Sequence, residues 1–309
     1  MKRLTEQGYE RAKQFMMEKA RPLERALFAF HFEDGSGDAV ATALEAFGNS
    51  DGGFGHGLEP DSQTPSSSAL ATAYALRTLA EVEPDAEADL VPPAIDYLMK
   101  TLDPETLTWR PVAEDVNEYP HAPWWHDEGG KLAKTFDDFR VIPRALIVAL
   151  LHHYAAQVPA ETLAAVSEAL TETIAGLEVL GSGGGSDLEY FLYLAQVAGL
   201  PRPIRGLLVE RLEHDVPRVV ERDPEKWSTY CLTPLRAAPT PTSIGAPQIR
   251  EISEAYLDWV IDQQTEEGCW NPTWTWFGVY PEIWPVAARH WKGILTLEHL
   301  LYLQAYERM

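Results

Sequence analysis

The chain has 309 residues, 45% hydrophobic and 23% charged, a globular balance far from the low-hydrophobicity, high-charge composition of disordered chains. Asp and Glu number 47 against 25 Lys and Arg, a net charge of -22 that repels phosphate backbones and anionic lipid heads and excludes nucleic acid as an expected partner. The two cysteines, Cys231 and Cys269, form no CxxC pair, which excludes a disulfide framework and a thiolate metal cluster, and no run of about 18 apolar residues offers a membrane span.

The N-terminal stretch MKRLTEQGYERAKQFMMEKARP is charged and amphipathic, without the apolar stretch of a secretory signal. Together with the cysteine usage it predicts a cytoplasmic protein. Apolar spacing at three and four residues predicts helices over 4–20, 23–32 and 38–47.

The loop that follows, NSDGGFGHGLEPDSQTPSSS, carries the first candidate site. Pro60 biases Glu59 toward extended geometry, where side chains two apart point the same way, so Glu59 and Asp61 present two carboxylates to one space. Paired carboxylates can have their pKa values pushed apart for acid and base roles, and His56 lies near enough in sequence to join them. Alternatively, Asp61 and Ser66 to Ser68 cap the next helix and Glu59 faces water.

Helices over 67–81 and 91–101 come next, then the loop NEYPHAPWWHDEGG, Asn117 to Gly130. His121, Trp124 and Trp125 make it a candidate wall of a ligand cavity or a cover for the core. The spacing of His121, His126, Asp127 and Glu128 matches no zinc pattern, and neither metal nor cofactor is assigned. Asp137 and Asp138 open a helix predicted over 140–156. They read as caps, or as two further carboxylates with Arg140 or Arg144 placed to hold an anion; the third acid of a DDxxD motif would fall on Val141.

Helices are predicted over 161–179, 187–198, 203–221, 249–264 and 291–306. Before the last lies CWNPTWTWFGVYPEIWPVAARHWKG, where Trp274, Trp276 and His290 are ligand-binding candidates. So aromatic a loop suits stacking on a sugar face or enclosing a polyprenyl chain. No P-loop, dinucleotide fingerprint, nucleophile elbow or HExxH occurs.

The helices are of two kinds. SALATAYALRTLA, VIPRALIVALLHHYAA, LEYFLYLAQVAGL and GILTLEHLLYLQAY are apolar round most of their circumference, whereas the helices between them carry a charged stripe. Inner and outer helices in alternation predict two concentric layers.

The segment WVIDQQTEEGCW, with Gln264, Gly268 and Trp270, resembles the QW repeat of the squalene-hopene cyclase and protein prenyltransferase superfamily, and Asp51-Gly52-Gly53-Phe54 resembles a degenerate copy. Weaker echoes lie at 101–109 and 180–191. The resemblance implies an all-α fold, an α/α toroid of about six helical hairpins over 1–309 as one domain, and assigns Asp51, Gln264 and Trp270 to structure. The chain departs from that superfamily in lacking its DxDD acid and its Asp-x-Cys zinc site.

The expected function is accordingly the binding of a small, apolar, isoprenoid-like ligand in a central aromatic and acidic cavity, enclosed by Trp124, Trp125, Trp274 and Trp276. A carbohydrate-active hydrolase or lyase using Glu59, Asp61 or Asp137, and a non-catalytic scaffold, are the alternatives.

Overall fold

A computed structural model describes residues 1–85, 87–130, 143–181 and 186–309. Among the described residues the chain is all-α, with no strand beyond isolated bridges. Twelve α-helices follow one another among the described residues: α1 Glu6–Lys19, α2 Pro22–Phe32, α3 Gly37–Glu45, α4 Ala69–Val82, α5 Glu87–Thr101, α6 Arg144–His153, α7 Ala160–Gly176, α8 Ser186–Gln196, α9 Arg202–Val219, α10 Pro234–Ala237, α11 Arg250–Asp262 and α12 Trp284–Ala305.

Their starts follow local chemistry. Thr5, Ser36 and Ser68 each accept a bond from a backbone N–H in the first turn of α1, α3 and α4, satisfying a donor that has no partner within the helix. The α5 helix begins four residues earlier than the periodicity predicts, because Pro92 and Pro93 fit within the helix with both rings facing solvent. The α12 helix begins seven residues before its predicted start, since Pro285 sits in its first turn, where a missing N–H costs nothing. The four-residue α10 is too short to show a period.

The apolar patterns predict full coverage for α4, α6, α8 and α12; α4 and α6 are largely buried, whereas within its predicted span α12 buries one face, Gly293, Thr296, Leu297, Leu300 and Leu303. Every residue of α6 from Arg144 to His152 is buried. By contrast, α9 buries only Leu208, Leu212, Asp215 and Val216, and α11 only Ser253, Tyr256, Leu257 and Val260, spacings that mark one face.

Packing follows chain order and returns on itself. α2 lies against α3 and α12, α3 against α4, α4 against α5 and α6, and α6 against α7 and α8. α8 lies against α9 and α10, α10 against α11, and α12 against α1. Polar contacts tie α11 and the turn after it to both ends of the chain: Gln264 Nε2 donates to Gly8 O at 2.8 Å, and Arg308 pairs with Glu254 and Asp258. One large apolar cluster runs from α2 through α9, and a second joins α1, α2, α10, α11 and α12.

The turns before α4 and α12 repeat one device. Asn49 N donates to Gly53 O, and Thr265 N to Cys269 O, each at 2.9 Å. Gly52 and Gly268 supply positive φ angles of 90° and 89°. The aromatic two residues on, Phe54 or Trp270, then donates its backbone N–H to a threonine of the following helix, Thr72 at 3.0 Å or Thr296 at 3.3 Å. Trp109, in one of the weaker echoes, donates to Leu98 O much as Trp270 donates to Val260 O. Asp51, Gln264 and Trp270 thus all serve these turns: Asp51 Oδ1 accepts from Gly53 N and Ser67 Oγ.

Candidate functional site

The EPD triplet sits in a loop held from three sides. Arg21, at the start of α2, grips Glu24 with two bonds of 2.7 and 2.5 Å and donates to the carbonyls of Gly57 and Leu58. Ala122 N donates to Asp61 O at 2.8 Å, and Gln63 N to Pro120 O at 2.9 Å, joining this loop to the tryptophan-bearing one. Ser68 N donates to Phe54 O and fastens the loop to α4. Such backbone ties fix where the two carboxyls stand.

Both carboxyls are buried, Glu59 at 6% and Asp61 at 3% exposure. Asp61 Oδ1 accepts two indole N–H bonds, from Trp276 at 2.7 Å and from Trp291 at 2.8 Å. Burial nevertheless pushes Asp61 up to about 6, against the opposing pull of Trp276, Trp291 and Trp274. Glu59 is raised further, by burial and then by the charge of Asp61, which outweigh the Asp61 backbone, the Trp125 indole and the more distant Arg21. Glu59 Oε2 is buried without a hydrogen-bond partner among the described residues.

The aromatic wall is continuous. Trp274 meets Trp291 edge-on at 4.9 Å, and Trp276 packs on Trp284 and Tyr280. Trp125 and Trp276 are buried with Leu70, Val112 and Ala287, and Trp124 lies half-buried against them. Trp291 was not among the residues singled out from the sequence. Its signal was the spacing Trp284-x6-Trp291, two turns of a helix that the sequence reading started too late.

The histidines divide. His56 is exposed and bonded to Asn49 Oδ1 at 2.9 Å, so it stands apart from the carboxyls it was expected to join. Its positive φ of 53° turns it outward with the tight loop. His121 is buried, and both its nitrogens are engaged, by Tyr119 O at 2.6 Å and His126 Nδ1 at 3.1 Å. Burial and then the charges of Arg21 and Arg289 lower His290 to about 4, so it is neutral, with a buried Nδ1 that has no partner among the described residues. Asp137, Asp138 and Arg140 lie outside the described residues. Arg144 donates to Thr173 Oγ1 and is committed to holding α7. Among the described residues, no three His, Cys, Asp or Glu side chains converge as a metal ion would need.

A second polar group lies on helices that read as apolar. Tyr74 and Arg77 of α4 face Glu189, Tyr190 and Tyr193 of α8, Arg236 of α10, and Glu298 and Tyr302 of α12. The Tyr74 and Tyr190 hydroxyls meet at 2.7 Å, Arg236 pairs with Glu189, and the Arg77 guanidinium lies 5.5 Å over the Tyr193 ring. Burial and the neighbouring Glu189 raise Glu298 to about 7. Arg77 is exposed to water although protein surrounds it; burial opposes its charge, while Glu81 and Glu189 favour it. Glu59 acts electrostatically on Tyr74, which links this group to the EPD loop.

The sequence hid these residues because each sits singly in an apolar run. A pattern that reveals them is a charge paired with a tyrosine one turn away, as in Tyr74/Arg77, Glu189/Tyr193 and Glu298/Tyr302. No protein-family model, curated protein or solved structure matches the chain.

Proposed function

We propose that the chain is a carbohydrate-active hydrolase, a ring of six helical hairpins around a polar recess, in which Glu59 is the proton donor and Asp61 the proton acceptor. The observation that carries this reading is the pair itself: two buried carboxyls two residues apart in one loop, with two indoles donating to Asp61. Glu59 passes its proton to the glycosidic oxygen as the bond to the sugar carbon breaks. Asp61 takes a proton from the attacking water, and exchange with solvent then restores both groups. Trp274, half-buried, offers a flat face on which a sugar ring stacks.

The same recess suits hydrocarbon poorly. Arg77, Glu189, Arg236 and Glu298 would lose water against an isoprenoid chain without gaining partners, a cost that sugar hydroxyls avoid by hydrogen bonding. This favours the carbohydrate reading over the apolar ligand that the superfamily resemblance implies.

The test is release of reducing ends from a panel of oligosaccharides. Wild-type protein is expected to cleave at least one class, with Glu59→Gln and Asp61→Asn each losing about 100-fold or more while the near-ultraviolet dichroism of the tryptophans is retained. Product absorbing as an unsaturated sugar would convert the assignment to a lyase. Stabilisation by polyprenyl diphosphates with no response to any glycan would overturn it.

A further inference from the structure

We propose that residues 271–282 form a lid over Glu59 and Asp61, latched by the Trp276 indole on Asp61 and opened to admit substrate; this rests on the reading of the two carboxyls as the acting pair. A carboxyl that gives or takes a proton must come within about 3 Å of the atom it serves. Glu59 and Asp61, at 6% and 3% exposure, are covered. The cavity that Glu59 borders with Ser62, Thr64 and Ser68 measures about 10 Å³, the room of one water molecule and far too little for a sugar ring. A substrate reaches these groups only when part of their cover moves.

Two parts of that cover are fixed. Trp291 belongs to α12, a 22-residue helix packed on α1 and α2. The loop of Trp125 is tied to the EPD loop by the bonds from Ala122 N to Asp61 O and from Gln63 N to Pro120 O. Residues 271–282 differ. Among the described residues none of their main-chain groups bonds outside 271–284, and of the twelve only Trp276 is buried. Aromatic contacts hold the segment: Trp274 lies edge-on to Trp291 and Tyr280 tilts against His121. Trp276 packs with Leu70 and Val112 while its Nε1 donates to Asp61 Oδ1 at 2.7 Å. A segment with so few main-chain bonds and so little burial lies at the low end of local stability and opens without unfolding the helices. Phe277 and Tyr280 also hold φ of 52° and 47°, left-handed values that aromatic residues tolerate poorly and that opening relieves. Two donors on one oxygen then have a reason: when Trp276 leaves, Trp291 still bonds Asp61 Oδ1 and keeps the carboxyl in position.

Carboxyl labelling of the full chain with a water-soluble carbodiimide and glycinamide, read residue by residue by mass spectrometry, measures opening without any sugar. Each rate is compared with that of the same residue in wild-type protein, and Asp215, buried on α9, marks global unfolding. Trp276→Phe keeps a ring and removes the latch; it is expected to speed labelling of Glu59 and Asp61 about tenfold, the worth of one lost hydrogen bond, with Asp215 unchanged. Trp291→Phe removes an equal bond to Asp61 from a helix that stays in place, and should move Glu59 by less than about twofold. Unchanged rates in Trp276→Phe, or an equal rise at Glu59 in both variants, overturn the lid. Chymotrypsin gives a second test on the wild-type sequence: Phe277, 77% exposed, is the expected first cut, and the nicked chain should label at Glu59 and Asp61 as Trp276→Phe does. A first cut elsewhere, or Glu59 labelling unmoved by the nick, overturns the lid. Should Asp215 rise in Trp276→Phe, that variant has unfolded and the nicked chain decides. The hydrolase reading stands or falls separately, on release of reducing ends.

Discussion

Asp61 does two jobs with one oxygen. Its Oδ1 accepts from Trp276, in the loop before α12, and from Trp291, within that helix, so a single acceptor fixes the angle between loop and helix. An indole N–H left in the interior without an acceptor costs ~1–3 kcal/mol. Asp61→Ala orphans both donors and is expected to lower unfolding free energy by ~2–5 kcal/mol. Asp61→Asn keeps a carbonyl acceptor, costs ~1 kcal/mol, and removes the ionisable group that the proposed chemistry needs. Urea unfolding followed by tryptophan fluorescence checks the order; equal losses would show that the oxygen does not hold the wall.

At the scale of elements, the repeated turns show how helix follows helix. Gly268 has φ of 89°, and a Cβ there would lie 2.3 Å from the backbone carbonyl of Arg11 in α1. Gly278 has φ of 83° but faces open space. Alanine at either position incurs the left-handed penalty of ~1–2 kcal/mol. Only at Gly268 must α1 also move, so Gly268→Ala is expected to exceed Gly278→Ala by ~1–3 kcal/mol in thermal or urea unfolding. Similar values would mean that the turn does not brace α1 against α11. The opening DGGF segment repeats this arrangement: a Cβ on Gly52 would meet the Pro93 carbonyl of α5 at 2.4 Å. The close approach of a turn to a neighbouring helix explains why glycine recurs in both copies.

Across the whole molecule, interior titratable groups act in opposite directions. Glu298 is raised from 4.5 to about 7, so between those values the folded state holds a proton that the unfolded chain has released. Stability from this group therefore falls as pH rises from about 4.5 to about 7, and the full penalty is present above that. Burial lowers His290 and His299 from 6.5 to about 4, and their contribution is lost as pH falls through that window. Glu298→Gln removes one side of the balance. Its melting temperature relative to wild type is expected to be near parity at pH 4.5 and to climb until about pH 7, then level off. A difference independent of pH would place Glu298 in ordinary solvent contact.

Apolar period and capping residues determined the helical class, the broad coverage of α4 and α6 beside the one-faced α9 and α11, and the EPD loop as a place of interest, because these depend on neighbours within one or two turns. The pairing of Gln264 with the first helix and the bond from Trp291 to Asp61 belong to tertiary structure, since their partners lie hundreds of residues apart in the chain. The same holds for the polar group shared by α4, α8, α10 and α12. A lone glutamate in an apolar run looks like a solvent-facing exception until neighbouring helices cover it, and only then do burial and Glu189 raise Glu298.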